Sequence, residues 1–233
     1  MQNKIVILSG GMDSTTVLYE VVHNYSARNT KALTFNYGQK HSIEVDKAKV
    51  SCDLLNVEHK IIDISFLGNL VGNVSALVTA SDIDVPTIEE ILGDPAPITE
   101  VPYRNLILAS LGLSYAQAQD ADEIYLGLQA QDEYSYWDTS SAFVDALNHV
   151  SALNRKHSIA IKAPYTKLSK SDELKIGKRL NVPYENTWTC YTGPDENGKA
   201  CGTCPSCSER IMAFMKNHMI DPVPYVIDIP WET

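Results

Sequence analysis

The chain has 233 residues, a formal net charge of -10 at pH 7, 44% hydrophobic residues and 21% charged residues. This length gives room for one good-sized domain with an appendage, and the composition is that of an ordinary globular protein. The acidic balance argues against broad, sequence-independent binding of nucleic acid, which depends on clustered Lys and Arg. No stretch approaches the roughly 18 apolar residues of a membrane span, and the N-terminus lacks a signal-peptide pattern. We therefore expect a cytoplasmic protein that binds neither a membrane nor nucleic acid directly.

The first two thirds of the chain alternate between short β-rich runs and helical patterns. Strands are predicted at residues 4–8, 32–36, 59–64, 123–126 and 158–161. Helices are predicted at residues 14–23, 41–55, 105–119, 140–153, 170–180 and 208–217. In the third of these helices, the stripe of Ile107, Leu111, Ser114 and Ala118 predicts close packing on a sheet. This alternation predicts a Rossmann-like α/β fold, with a parallel sheet and helices on both faces.

Two stretches depart from the alternation. Residues 66–100 are rich in acidic residues and proline, and we expect a long loop there that is functional or mobile. After residue 183 the pattern changes to a cysteine-rich segment. The predicted organisation is therefore an α/β domain over residues 1–183 with a small metal-binding segment, residues 184–233, packed on it.

The run LSGGMDSTT at residues 8–16 leaves the first strand and enters the first helix. Backbone N–H groups of Gly10 and Gly11, together with the first turn of the helix, predict an anion-binding site. The same run brings hydroxyl donors from Ser9, Ser14 and Thr15. Asp13 would repel a bare phosphate, so its presence indicates either a bound Mg²⁺ or a role in holding the loop. The alternative is a tight turn followed by an N-capped helix.

Four of the five cysteines lie close together in the sequence, as Cys190, Cys201, Cys204 and Cys207. We expect reduced thiols in the cytoplasm, so this clustering favours a metal over disulfides. Four thiolates at about 2.3 Å saturate a tetrahedral Zn²⁺ and leave no open position, which predicts a structural zinc site. An iron–sulfur cluster is the alternative. We expect Cys52, on the second helix, to be a small core residue.

The loop at residues 8–18 resembles the S-G-G-x-D-S pyrophosphate loop of the ATP-pyrophosphatase superfamily. It is neither the phosphate-loop motif of kinases nor the dinucleotide-binding glycine motif. The resemblance implies that ATP is cleaved between its α and β phosphates and that an acceptor oxygen is adenylated. It assigns nucleotide binding to Leu8, Ser9, Gly10, Gly11, Met12, Asp13, Ser14, Thr15, Thr16, Val17 and Leu18.

Further motifs along almost the whole chain resemble the 7-cyano-7-deazaguanine synthase family. They are FNYGQKH at 35–41, VPYRN at 101–105, IYLGLQAQD at 124–132, APYTKLSKSDE at 163–173 and TWTCYTG at 187–193. The resemblance implies an adenine nucleotide α-hydrolase-like fold, ATP, Mg²⁺, and Zn²⁺ on the four cysteines. The implied reaction adenylates 7-carboxy-7-deazaguanine, forms the amide with free ammonia, and activates the amide with a second ATP to leave the nitrile. A homodimer is also expected from the family.

The resemblance carries catalytic roles onto three residues. Asp13 belongs to the loop, and Arg104 in VPYRN would neutralise phosphate or the substrate carboxylate. The alternative for Arg104 is a surface arginine paired with Glu100. Lys170, at the start of a helix, would reach the pyrophosphate, and its alternative is a solvated helix lysine.

Substrate and adenine contacts also follow from the resemblance. Asp132 would bind the guanine-like edge, unless it is a loop carboxylate exposed to water. The remaining expected contacts are Tyr136 and Asp138 for the substrate, and Tyr37 and Gln39 for the adenine side. We expect His41 to be a packing or capping residue.

One departure from the family pattern affects the function. The family usually has Tyr-Pro-Asp-Cys-Arg where this chain has YWDTS at residues 136–140. Ser140 thus stands in place of the arginine and Thr139 in place of the cysteine, and Arg155 or Lys156 could substitute for the missing charge. Alternatives are an enzyme that stops at the amide or uses a related deazaguanine, a tRNA-modifying enzyme of the same superfamily, and a non-catalytic nucleotide-binding partner.

Overall fold

The computed structural model describes residues 2–92, 94, 97–129 and 136–231. The strands are β1 (Asn3–Ile7), β2 (Thr30–Asn36), β3 (Glu58–Asp63), β4 (Ala121–Leu126) and β5 (Ala160–Lys162). The helices are α1 (Met12–Tyr25), α2 (Ile43–Leu55), α3 (Phe66–Val71), α4 (Ile88–Ile91), α5 (Arg104–Ala118), α6 (Ser141–Ala152), α7 (Lys170–Arg179) and α8 (Pro205–Lys216). All the predicted strands and helices are confirmed, with ends that shift by a few residues. The prediction of a long loop at 66–100 is wrong in its described part, because α3 and α4 lie there.

The five strands form one parallel sheet in the order β3-β2-β1-β4-β5, with β1 at its centre. From β1 the chain adds strands first on one side and then on the other, so the order reverses between β1 and β4. In such sheets the helices that follow the neighbouring strands diverge at this point and leave a crevice at the carboxyl ends of the strands. The Rossmann-like fold class is confirmed, and this crevice is where a ligand is expected.

A hydrophobic core lies on each face of the sheet. Successive side chains of a strand point to opposite faces, so one strand contributes to both cores. Ile5 and Ile7 of β1 contact one core, which includes residues of α3, α5 and α6. Val6, in between, contacts a second core with residues of α1 and α2. Cys52 is 1% exposed in this second core, which confirms the prediction that it is a core residue.

Helix α5 contacts β1 through a face that the sequence analysis did not identify. The buried residues of α5 are Ala109, Gly112 and Ala116, whereas Ser114 and Ala118 are exposed. A Cβ atom on Gly112 would lie 2.8 Å from Ile7 Cδ1, so the helix and the strand meet closely. The predicted close packing on the sheet is confirmed, and Ile107 and Leu111 of the stripe pack against the core, but the stripe is wrong at Ser114 and Ala118, where Gly112 and Ala116 make the contact instead.

The cysteine-rich segment has a small core of its own, which includes Trp188, Ile211 and Val223. Helix α8 begins with Pro205 at a position where the missing N–H costs nothing, three residues earlier than predicted. Within the described part of the chain, no helix combines the length and the apolar character of a membrane span. The division at residue 183, the cytoplasmic location and the homodimer stay predictions.

Candidate active site

The loop between β1 and α1 is held in shape by its own side chains. Ser9 Oγ lies 2.9 Å from Ser14 Oγ, and the Ser9 backbone N–H donates to the same Ser14 oxygen at 3.1 Å. Gly10 has a φ of +90°, and a Cβ atom there would lie 2.0 Å from the carbonyl oxygen of Glu44. Only glycine therefore fits at this position.

The N-terminus of α1 has no side-chain cap, because its N-cap residue is Gly11. Ser140 caps α6 and Ser169 caps α7 with their hydroxyls, whereas α2, α3, α5 and α8 also begin without a side-chain cap hydrogen bond. The N–H groups in the first turn of α1 are thus left for another acceptor, at the positive end of the helix dipole. This arrangement contradicts the alternative of a simple turn with an N-capped helix and fits an anion site.

The predicted nucleotide-binding run divides into two parts. A cavity at the carboxyl ends of the strands is lined by Leu8, Ser9, Gly11, Met12, Asp13 and Ser14. Gly10 does not line the cavity, and its carbonyl accepts a hydrogen bond from the Trp188 N–H at 3.0 Å. The following residues Thr15, Thr16, Val17 and Leu18 are fully buried in the body of α1 and do not line this cavity.

Lys170 lies beside the loop, between two carboxylates. Its Nζ atom is 3.4 Å from Asp13 Oδ2 and 3.4 Å from Glu209 Oε2, and its side chain is 10% exposed. Burial alone would lower the pKa of Lys170, but the charges of Asp13 and Glu209 outweigh it and raise that pKa. The alternative of a solvated helix lysine is therefore wrong, and Lys170 is a charged group at the phosphate loop.

Glu173, one turn further along α7, is fully buried next to this group. Burial penalises its charge, and the neighbouring Asp13 carboxylate adds to the penalty, so the pKa of Glu173 is raised well above its usual range. The surroundings of Glu173 therefore favour its neutral carboxyl form over the carboxylate.

Arg104 is the first residue of α5 and faces the same cavity. Its guanidinium group lies 5.6 Å from the centre of the Tyr37 ring, and Nη1 donates to the Tyr37 hydroxyl at 3.3 Å. Glu100 instead accepts a hydrogen bond from Trp137 Nε1 at 3.0 Å. The alternative of a surface arginine paired with Glu100 is wrong, and Arg104 brings a permanent positive charge to the cavity.

The other predicted contacts fall in three places. Tyr37, Gln39 and Tyr136 line the cavity. Asp138 is 4% exposed and lies behind the wall, where burial raises the pKa of its carboxyl group and Arg104 opposes that rise. Asp132 lies outside the described residues.

The two residues that depart from the family pattern, Thr139 and Ser140, have different positions relative to the cavity. Thr139 lines the cavity, and its hydroxyl donates to the Tyr136 carbonyl at 2.9 Å. Ser140 instead accepts the Phe143 N–H and begins α6. Arg155 and Lys156 are exposed near the amino end of β4, whereas the cavity lies at the carboxyl ends of the strands. The prediction that one of them replaces the missing arginine is therefore wrong.

The four clustered cysteines meet in space. Their sulfur atoms all lie within 4.8 Å of one another, and Cys201 Sγ is 3.9 Å from Cys207 Sγ. A tetrahedron of sulfur atoms around Zn²⁺ has edges of about 3.8 Å, so the geometry fits a metal ion. Backbone N–H groups of Cys201 and Cys204 point at sulfur atoms of the cluster, at 3.4 and 3.3 Å. Cys190 and its neighbour Tyr191 also line the cavity, which joins the cluster to the candidate active site.

Sequence reasoning missed two carboxyl groups, the fully buried Glu173 and the half-buried Glu44. Glu173 belongs to the APYTKLSKSDE motif, three residues after Lys170, and that helical spacing could have indicated it. Glu44 follows FNYGQKH by three residues, in the first turn of α2, and lines the cavity. Burial raises the pKa of Glu44 to about 7, and Arg104 opposes that rise.

Comparison with known proteins gives a consistent result. The model of the family described as queuosine biosynthesis protein QueC matches residues 3–218. The 7-cyano-7-deazaguanine synthase of Caldicellulosiruptor saccharolyticus is 44% identical over 98% of this chain and 97% of that protein. The synthase of Pseudoalteromonas atlantica is 41% identical over 97% and 99%. Among solved structures, NMN synthetase from Francisella tularensis aligns over 94% of this chain and 78% of that chain, with 16% identity and a TM-score of 0.47. That last likeness is too distant to bear on function.

A parallel sheet of this order, with a cavity at the loop where the strand order reverses, defines a Rossmann-like α/β protein with a ligand site at the carboxyl ends of its strands. The match over nearly the whole chain then fixes the family. The chain belongs to the QueC family of queuosine biosynthesis, the 7-cyano-7-deazaguanine synthases, which are carbon–nitrogen ligases.

Proposed function

We propose that this enzyme uses two molecules of ATP to convert 7-carboxy-7-deazaguanine and ammonia into 7-cyano-7-deazaguanine. The first ATP adenylates the carboxylate, and ammonia displaces AMP to give the amide. The second ATP adenylates the amide oxygen, which then leaves as AMP to give the nitrile. The observation that carries this proposal is one cavity that combines an uncapped helix N-terminus with the half-buried cation of Arg104. Such a site can hold a pyrophosphate group and an anionic acceptor side by side.

The loop residues would bind the outer phosphates of ATP. The N–H groups of the first turn of α1 and the hydroxyl pair of Ser9 and Ser14 supply donors there. Lys170 lies within reach of the same loop and would balance the charge of the departing pyrophosphate. Catalysis of this kind consists mostly of positioning and charge neutralisation.

Arg104 would neutralise the substrate carboxylate or the α-phosphate that it attacks. Its contact with Tyr37 fixes the guanidinium group at the cavity wall, so little side-chain entropy is lost on binding. Tyr136 would contact the deazaguanine, and Asp138 would act from behind the wall through Arg104. Tyr37 and Gln39 would lie on the adenine side, and a contact from Asp132 to the guanine-like edge stays a prediction.

Two metal ions fit the residues present. Asp13 Oδ1 is buried and accepts no hydrogen bond from the described residues, which suits a carboxylate ligand of Mg²⁺. Mg²⁺ bound there would supply further neutralisation of phosphate charge. Cys190, Cys201, Cys204 and Cys207 would hold a structural Zn²⁺, with no position open for chemistry.

The test is to incubate the protein with ATP, ammonium and 7-carboxy-7-deazaguanine, labelled with ¹⁸O in its carboxylate, and to record products by mass. We expect the nitrile, two AMP per nitrile, and ¹⁸O in the AMP. An amide as the final product would mean that the enzyme stops halfway, as the Thr139 and Ser140 departure allows. Absence of AMP would refute the proposal.

The matched variants are Asp13→Asn and Asp145→Asn. Asp145 lies on an exposed face of α6, so its change controls for the loss of one negative charge. We expect Asp13→Asn to slow the release of AMP and pyrophosphate by about 100-fold or more, as for loss of one electrostatic stabiliser, and Asp145→Asn to leave it unchanged. If Asp13→Asn turned over as fast as the parent, the loop would not be the site of adenylation.

A further inference from the structure

The proposed reaction removes three protons from a single nitrogen atom. Ammonia attacks the acyl adenylate, the new C–N bond forms as the C–O bond to AMP breaks, and one proton leaves the nitrogen to give the amide. In the second half, the adenylated amide loses two more protons as the C≡N bond completes and the second C–O bond breaks, with AMP taking the electron pair. A group that accepts protons must therefore lie next to this nitrogen, inside the cavity.

Most groups that line the cavity cannot accept these protons. Arg104 is always protonated, and Lys40 donates its ammonium hydrogen to the Ile83 carbonyl at 2.8 Å. Asp13 is paired with Lys170 at 3.4 Å, at the phosphate end. His41 packs its ring against Gly193, and burial lowers the pKa of its imidazole, with Lys40 adding to that effect. The ring therefore holds a proton less well, even though its Nε2 has no hydrogen-bond partner among the described residues.

Glu44 is the carboxyl group that meets the requirement. Its side chain lines the cavity, and its own carbonyl oxygen contacts the position of Gly10, so α2 holds it against the phosphate loop. In the part of the chain that the structure describes, no hydrogen bond or ion pair holds its carboxyl group. On accepting a proton it becomes neutral, which desolvation at the cavity wall favours and the positive charge of Arg104 opposes.

We propose that Glu44 is the catalytic base of the amination and of nitrile formation, and that it takes no part in adenylation. This inference rests on the proposed function. The carboxylate accepts a proton from the nitrogen, passes it to solvent, and is ready for the next one. Arg104, on the same wall, holds the oxygen that leaves with AMP, so the two charged side chains act on opposite substituents of one carbon atom.

The experiment separates adenylation from amination. Adenylation is measured as exchange of labelled pyrophosphate into ATP in the presence of 7-carboxy-7-deazaguanine and the absence of ammonia. Amination is measured as amide formed in a single turnover. For Glu44→Gln we expect pyrophosphate exchange within about twofold of the parent and amide formation reduced by about 100-fold, the usual effect of a lost general base.

Hydroxylamine in place of ammonia distinguishes a base from a residue with only a structural role, because a structural defect would be the same with both nucleophiles. Its nitrogen loses a proton more easily than ammonia after attack, so formation of the hydroxamate needs less help from a base. We expect the defect of Glu44→Gln to shrink to about tenfold or less with this nucleophile. Asp46→Asn, on the same helix but exposed and paired with Lys49, is the matched control and should behave as the parent in all three assays. Should Glu44→Gln fail to fold, Glu44→Asp keeps a carboxyl group and should retain part of the amination.

Several results would overturn the inference. Equal losses of exchange and amination would assign Glu44 to binding, and full amination by Glu44→Gln would exclude it as the base. A selective amination defect in His41→Gln instead would assign the proton to the imidazole. Absence of pyrophosphate exchange in the parent protein is a different result, because it would refute the proposed function itself.

Discussion

The sheet buries aliphatic side chains such as Ile5, Leu33 and Ile124 on its faces, whereas the segment after residue 187 buries three cysteines and an arginine. Hydrophobic burial is non-directional, so a core of the first kind depends on volume and pattern more than on particular atoms. The segment depends on particular atoms. Arg210 is 1% exposed, and its guanidinium group donates to both carboxylate oxygens of Asp221, at 2.6 and 2.9 Å.

This difference matters for the active site because the segment supplies part of the cavity wall. Trp188, Cys190 and Tyr191 line the cavity. The Trp188 N–H donates to the Gly10 carbonyl, so the segment also holds the loop directly. A region that depends on a cysteine cluster and a buried ion pair therefore shapes part of a site built mainly on the sheet.

The largest effect is expected from removing one cysteine of the cluster. Cys207→Ser should lose its bound zinc and the order of the segment, because a structural zinc site contributes up to about 10 kcal/mol of binding free energy to folding. Metal content by mass spectrometry and thermal unfolding are the measurements, and activity should disappear with the cavity wall.

Cys52→Ala is the matched control for this prediction, since Cys52 is buried in the core of the sheet. It should keep one zinc ion per chain and cost about 1 kcal/mol of unfolding free energy. A Cys207→Ser protein that retained zinc, or a brown parent protein that contained iron and sulfide, would contradict the zinc assignment.

The next effect is expected from breaking the buried ion pair of the segment. Arg210→Met leaves Asp221 as a buried, uncompensated charge and should lower the free energy of unfolding by about 3–5 kcal/mol, measured by urea denaturation. Adding Asp221→Asn removes that charge and should recover part of the loss. The control is Arg179→Met on the exposed side of α7, which should change stability by about 0.5 kcal/mol or less. Equal stability of the two single variants would mean that the segment does not depend on this pair.

The smallest effect is expected at the departure from the family pattern, at the edge of the sheet region. Ser140→Ala removes the cap of α6 and should cost about 1 kcal/mol of unfolding free energy. It should leave kcat and KM unchanged, since Ser140 does not line the cavity. Ser110→Ala, an exposed serine within α5 that caps no helix, is the control. A rise in KM for the deazaguanine acid would instead give Ser140 a role in the site.

The sequence by itself determined the fold class, the phosphate loop and the four cysteines. These features are encoded over short distances: alternation of strand and helix patterns, a glycine and hydroxyl run after a strand, and cysteine spacing. The resemblance to the family also identified Arg104 and Lys170 as candidates. Alternatives such as a surface arginine remained open, because the burial of a side chain and its ion-pair partner cannot be read from a local pattern.

Only the tertiary structure decided how charges are arranged around the cavity. Lys170 contacts Asp13 although 157 positions separate them in the chain. The desolvation that raises the pKa of Glu44 and Glu173 comes from packing of segments that are distant in the chain. The close contact of α5 with β1 at Gly112 also depends on such packing. The electrostatic free energy of a carboxyl group depends on which atoms surround it in space, and the order of residues along the chain does not specify those atoms directly.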